Sequence, residues 1–202
     1  YSVVVTDGNG CTATLSVSIS QPGGLAVSES HKDVGCAGQS TGSIDLSVSG
    51  GVGPYSYAWS HGPMSQDLSG LAAGAYSVIV TDANGCTATI SVVVSQPAVL
   101  AASASATGAL CFGGTGSIGA SVSGGTGPYE YQLDGGLFQS GGTFSGVAAG
   151  PHTVSVRDAN GCTASVSVSV SQPGALVLSA THEDALCGEN TGSIDLSVSG
   201  GV

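Results

Sequence analysis

Apolar and polar residues alternate along most of this chain. Ile44, Leu46 and Val48 take every second position over residues 43–49, and Ala88, Ile90, Val92 and Val94 do so over residues 87–95. A period of two puts these side chains on one face of a sheet, so both segments predict half-buried strands. Further strands are predicted at 25–30, 55–60 and 76–81, with one or two short ones within 65–71. Gly50-Gly51-Val52-Gly53-Pro54 and His61-Gly62-Pro63 punctuate them as turns. No segment carries a helical period. About six or seven short strands between Gly/Pro turns predict an all-β sandwich.

One hexapeptide recurs three times: Thr6-Asp7-Gly8-Asn9-Gly10-Cys11, Thr81-Asp82-Ala83-Asn84-Gly85-Cys86 and Arg157-Asp158-Ala159-Asn160-Gly161-Cys162. Its cysteines stand 75 and then 76 residues apart. Each copy closes one alternating run and opens another. Asn-Gly at such a joint predicts a type I′ hairpin, whose two central residues both need positive φ. Gln-Pro recurs at 21–22, 96–97 and 172–173. Proline fixes φ and lacks a ladder donor, so it suits a stiff boundary. The period divides the chain into residues 1–22, the last strands of one repeat; 23–97 and 98–173, two whole repeats; and 174–202, the opening of another. A parallel β-helix would instead repeat at about 20–25 residues.

Within the first whole repeat, Leu71-Ala72-Ala73-Gly74-Ala75-Tyr76 has the form of a tyrosine corner, in which the ring oxygen ties back to nearby backbone. The second repeat has Leu133 in place of Trp59 and His152 in place of Tyr76, and turns a hairpin at Asp134-Gly135. Its core is expected to be repacked and to lack the corner's hydroxyl.

Charge narrows the possible partners. Charged residues are 7% of the chain and the net charge is −11, with Lys32 and Arg157 the only cations. Nucleic acid needs a basic stripe to neutralise phosphates, so it is excluded as a partner. An anionic membrane surface is excluded on the same ground. No apolar run approaches the ~18 residues of a membrane span. Repeats of this size bury only about 60–65% of their unfolded surface, so they need a staple. Six cysteines are available for one. The chain opens inside a strand at Tyr1 and stops inside a repeat at Val202. It therefore reads as a window on a longer protein, with signal, anchor and terminal domains expected outside it.

Three motifs occur in fixed order: Ser-Gly-Gly-x-Gly-Pro-Tyr-x-Tyr at 49–57, Leu-x-x-Gly-x-Tyr at 71–76 and Asp-x-Asn-Gly-Cys-Thr-Ala at 82–88. The first and third recur at 123–131 and 158–164. Together they resemble the SprB repeats of bacterial cell-surface adhesins. The resemblance implies tandem immunoglobulin-like or PKD-like sandwiches in very large surface proteins of Bacteroidota, exported by the type 9 secretion system. Some of these are filamentous adhesins moved along the cell in gliding. Such repeats act as stalk or filament, and no catalysis is implied.

The cysteines lack any CxxC spacing, which argues against zinc. Two per repeat in an extracellular setting argue for disulfides. A self-sufficient module favours internal pairing, Cys36–Cys86 and Cys111–Cys162, the arrangement adopted here. In a sandwich, however, the loop before the second strand and the last hairpin lie at opposite ends. That favours boundary pairing: Cys11–Cys36, Cys86–Cys111 and Cys162–Cys187. Asp82 with Asn84, and Asp158 with Asn160, are calcium candidates through their oxygens. The alternative is a turn in which the aspartate accepts backbone N–H groups. No glutamate follows at EF-hand distance, which favours the turn. The histidines do not recur in register and no Ser/His/Asp set repeats, so no nucleophile is assigned. Tyr55, Tyr57 and Trp59 share a strand face that reads as core rather than as a sugar platform. The glycine-rich turns lead into strands, not helices, and so do not cradle phosphate.

These readings combine into a non-enzymatic stalk or filament segment of an extracellular adhesin. Its partners would be neighbouring repeats, with self-association through sparsely charged strand edges and contact with surface glycans or abiotic surfaces. The alternatives are a carbohydrate- or surface-binding module and an accessory array beside an exported enzyme. Two cations leave trypsin two sites. Exhaustive digestion of the reduced, denatured chain should give only the fragments 1–32, 33–157 and 158–202 on a mass spectrum.

Overall fold

The computed structural model describes residues 1–188 and 190–202. They form sixteen strands and no helix. In order these are β1 (Ser2–Thr6), β2 (Thr12–Ser16), β3 (Ala26–Lys32), β4 (Gly42–Ser49), β5 (Ser56–Trp59), β6 (Leu68–Leu71), β7 (Gly74–Thr81) and β8 (Thr87–Val94). There follow β9 (Ala101–Thr107), β10 (Thr115–Ser123), β11 (Glu130–Leu133), β12 (Thr143–Ala148), β13 (Gly150–Arg157), β14 (Thr163–Val170), β15 (Gly174–Glu183) and β16 (Ser193–Gly201). The chain falls into two compact units, Tyr1–Val34 with Ser40–Ser95, and Gly35–Gln39 with Gln96–Val202.

In the first unit, sheets β3-β4-β6 and β5-β7-β8 face each other, all pairs antiparallel. This is the A-B-E and C-F-G strand order of an immunoglobulin-like sandwich. The alternation in β4 does what its period predicts: Ile44 and Leu46 are buried, while Asp45 and Ser47 are exposed. Opposite them lie Val78 and Val80 of β7 and Val92 and Val94 of β8. Trp59, Leu68 and Tyr76 complete the core. A ribbon of β1 and β2 also belongs to this unit.

The second unit repeats the plan with sheets β9-β10-β12 and β11-β13-β14. Its core is thinner. Among the described residues its central cluster holds five buried side chains, Ile118, Val147, Val154, Val156 and Val170, against ten in the first. Alanines 102, 104 and 106 line β9, and Leu133 packs where Trp59 does in the first sandwich. This unit also holds the antiparallel ribbon β15–β16.

One turn constrains both sandwiches. Gly50 has φ +69°, and a Cβ there would stand 2.0 Å from the Gly24 carbonyl oxygen. Gly124 has the same φ and would meet the Val99 oxygen at the same distance. Only glycine fits such an approach. The following Gly53–Pro54 and Gly127–Pro128 peptides are both cis.

Trp59 is the only tryptophan and lies in the first core. Ile44→Ala should therefore lower the stability read by Trp59 fluorescence in denaturant by about 2–5 kcal/mol. Val93→Ala, at an exposed position on β8, should stay within about 0.5 kcal/mol. Equal effects would mean that β4 does not supply the core.

Candidate functional site

The recurring hexapeptide builds the same small device in each sandwich. Asp82 follows β7 directly, and its N–H donates to the Cys86 carbonyl at 2.9 Å. Its carboxylate turns back into the loop. Oδ1 accepts the N–H groups of Asn84 (2.9 Å) and Cys86 (2.8 Å), and Oδ2 accepts that of Val52 (2.9 Å). Ala83 N–H donates to the Val52 carbonyl, so the hairpin is tied to the Gly-Gly turn by backbone and side chain together. Asp158 does the same with Asn160, Cys162 and Thr126, each at 2.9 Å. Asp7 holds Asn9 and Cys11 in the ribbon β1–β2. Asp82 and Asp158 are both buried. The Val52 N–H holds the Asp82 carboxyl below its usual range, aided by the donors from Cys86 and Asn84, while burial opposes the shift.

This geometry corrects the expected type I′ turn. Among the described residues only Asp134 is a non-glycine at positive φ, so Asn84 and Asn160 cannot fill a type I′ position. The Gly85 N–H donates to the Asp82 carbonyl, and Gly85 alone takes φ 81°. The turn runs over Ala83 and Asn84 and closes on a left-handed glycine. The aspartate side chain stabilises it, which removes any need to force asparagine to positive φ. The predicted Asp134-Gly135 hairpin does carry positive φ at both residues, 48° and 75°.

The calcium candidates sit in this device. The oxygens of Asp82 and Asp158 face N–H donors. The Asn160 amide points to the Gly35 carbonyl (2.9 Å) and the Thr126 hydroxyl (3.2 Å). Among the described residues no three His, Cys, Asp or Glu side chains gather as a metal site would require.

The cysteines need correcting too. Cys36 is joined to Cys162, with Cα atoms 5.7 Å apart and a sequence separation of 126. Neither Cys36–Cys86 with Cys111–Cys162, nor Cys11–Cys36, Cys86–Cys111 and Cys162–Cys187, contains this bond. Cys11, Cys86, Cys111 and Cys187 are free and exposed. The physical reason lies in the second unit, which takes in the loop Gly35–Gln39 from between β3 and β4. There the hairpin of residues 158–162 meets the loop, with the Asn160 amide on Gly35 aligning the two chains beside the sulfurs.

Two bonds were beyond the sequence reading. Gln96 and Gln172, the boundary glutamines, accept through Oε1 from the N–H groups of Gly38 (2.7 Å) and Gly113 (2.9 Å). Their recurrence before proline was the available signal. Tyr76 forms the expected corner, its hydroxyl donating to the Ala72 carbonyl at 2.9 Å. In the second sandwich His152 keeps that bond without a hydroxyl. Nε2 meets the Ala148 carbonyl at 2.9 Å and Nδ1 meets Asp134 Oδ2 at 2.6 Å. Both partners are acceptors, so the doubly protonated ring satisfies both.

The aromatic face is turned inward. Trp59 is buried with Nε1 donating to Ser65 O, and Tyr55 and Tyr57 pack against the core. Tyr55 donates to Gly50 O, and its counterpart Tyr129 donates to Gly124 O. Arg157 pairs with Glu130 and covers the Phe138 ring, 4.3 Å from its centroid.

Comparison with known proteins adds a family match. The model of the SprB repeat matches residues 28–64, 103–138 and 179–202. A solved structure, the C-terminal 282-residue fragment of intimin in complex with the intimin-binding domain of the translocated intimin receptor, is similar at 12% identity and a TM-score of 0.42. The match covers 79% of this chain and 67% of that one. The fold assignment rests on the strand order of the two sheets, not on that likeness. No curated protein matches the chain.

The Asp134 carboxylate, with the Ala148 carbonyl, raises His152 above its ordinary 6.5, against the effect of burial. His152, with the Thr153 N–H, lowers Asp134 below 3.8. A raised histidine contributes stability fully below 6.5 and loses it as pH climbs through its folded value. A lowered aspartate contributes above 3.8 and loses it as pH falls through its folded value. The second sandwich should therefore be most stable between 3.8 and 6.5 and weaken on the alkaline side. Denaturation midpoints by circular dichroism across pH would show this, and His152→Tyr should flatten the alkaline limb. A limb unchanged in that variant would remove His152 as its cause.

Proposed function

We propose that this chain, three segments of which match the SprB repeat, is a tension-bearing stalk segment of a large cell-surface adhesin. The SprB matches make it an adhesin-type repeat region. The finer reading, stalk rather than adhesive tip, draws its main support from the Cys36–Cys162 bond. That bond closes a loop long enough to contribute about 5 kcal/mol in the chain-entropy model. It also offers tension a covalent path that bypasses the intervening strands. The near absence of cations and the inward aromatic face agree with a surface that holds position rather than binds. Its station would be outside the cell, reached by the type 9 route and used in attachment or gliding, as the resemblance implies. Catalysis is no part of this role.

Pulling the chain by its ends tests the reading. With the disulfide intact, the separation of 126 residues, at about 3.4 Å each, should withhold about 430 Å of extension. Reduction, or Cys162→Ser, should release it. Equal extensions in both states would remove the stalk role, and specific capture on a glycan array would move the function to recognition.

A further inference from the structure

The last hairpin of the second sandwich carries a dipeptide with chemistry of its own. Asn160 is followed by Gly161. Asparagine is a thermolabile residue, and glycine has no side chain to shield its nitrogen. In an unrestrained chain that nitrogen attacks the asparagine amide carbon and closes a five-membered imide.

Here both reacting groups are held. The Gly161 N–H donates to the Asp158 carbonyl at 3.0 Å. Asn160 Nδ2 donates to the Gly35 carbonyl at 2.9 Å and to the Thr126 hydroxyl at 3.2 Å. Closing the ring takes Nδ2 off both acceptors and the Gly161 N–H off a third. Burial gives no protection. Asn160 and Gly161 are exposed, and a Cβ built on Gly161 would meet nothing within 4 Å. A cleft of about 280 Å³, lined by Cys36, Ala37, Gly161 and Cys162 among others, opens beside them. The restraint is therefore made of hydrogen bonds.

One of those bonds depends on the disulfide. Gly35 precedes Cys36 and Gly161 precedes Cys162, so the Cys36–Cys162 bond clamps the Gly35 carbonyl against the Asn160 amide. Thr126 and Asp158 are tied to each other within the second sandwich, and that tie does not involve the disulfide. Opening the disulfide thus releases the shorter of the two amide bonds and leaves the turn standing.

We propose that Asn160 is a modification site governed by the Cys36–Cys162 bond: reduction frees its amide, which then deamidates. Reduction takes two electrons from two small-molecule thiols such as glutathione, which leave as a disulfide. The Gly161 nitrogen then bonds to Asn160 Cγ, the Cγ–Nδ2 bond breaks, and ammonia leaves with the proton from Gly161. Water opens the imide at either carbonyl and leaves aspartate or isoaspartate. The new side chain has no N–H donor. Its carboxylate faces the Gly35 carbonyl oxygen, acceptor against acceptor, and this opposes the return of Cys36 to Cys162. Reduction is thereby made one-way and is recorded as a single negative charge. The inference rests on the disulfide and the hairpin and does not require the stalk reading.

The test incubates the full chain in mildly alkaline buffer, oxidised or with reduced glutathione, and follows amide-to-acid conversion of each peptide by mass spectrometry. Asn160 should convert about tenfold faster in the reduced chain. Asn84 is the internal control. It lies in the same Ala-Asn-Gly-Cys-Thr-Ala sequence of the first sandwich, with Val52 where the second has Thr126. Its rate should not change. Cys162→Ser should give the fast Asn160 rate without any reductant. Asn160→Asp should need a glutathione buffer about tenfold more oxidising to close half of the Cys36–Cys162 bond. Equal Asn160 rates in the two states would overturn the proposal. So would an equal acceleration of Asn84, which would mean general loosening of the chain. An Asn160→Asp chain that closes the bond as readily as the native one would overturn the one-way step. None of these outcomes alters the extension released on pulling, so the modification and the stalk role fail separately.

Discussion

A carboxylate set into the end of a small β-sandwich needs hydrogen-bond donors on its oxygens. Asp82 meets this with the N–H groups of Val52, Asn84 and Cys86, and Asp158 with those of Thr126, Asn160 and Cys162. Two of each three come from the hairpin and one from the glycine turn across the sandwich end. One side chain therefore fixes the shape of the hairpin, its attachment and the direction in which its cysteine leaves. The position of Cys162 beside Cys36 depends on this arrangement. So does the placement of Asn160, whose amide reaches Gly35 only because the turn is held.

The two sandwiches retain bonds more faithfully than side chains. Tyr76 and His152 both satisfy the carbonyl four residues before them, through an oxygen in one and a nitrogen in the other. The substitution brings in Asp134, whose carboxylate meets the other ring nitrogen. Tyr55 and Tyr129, and Gln96 and Gln172, are unchanged in both type and bond. Volume is less constrained, since Leu133 stands for Trp59 and alanines fill β9. In this pair of repeats the polar ties vary less than the apolar filling.

This explains which features were legible in the sequence. Ile44 and Leu46 could be placed because sheet periodicity is local and has one solution. The tyrosine corner was readable because its partner lies four residues away. The aspartate's acceptor role in the hairpin was legible and holds, whereas the type of turn at Asn84 was not, because the Asp82 bonds remove the need for positive φ there. The partner of Cys36 was not legible at all. Every loop cysteine stands at the same place in its repeat, and only the folded second unit brings residues 35–39 to the hairpin of residues 158–162. Gln96 was read as a spacer because its bond spans 58 residues.

The disulfide also makes a closed ring of the main chain from residue 36 to residue 162. A single peptide-bond cut anywhere inside that ring, including the one tryptic site at Arg157, leaves both flanks covalently attached. In the proposed cell-surface role the chain meets proteases and is not resynthesised in place. For such a chain, continuity after one cut means that damage accumulates without detachment.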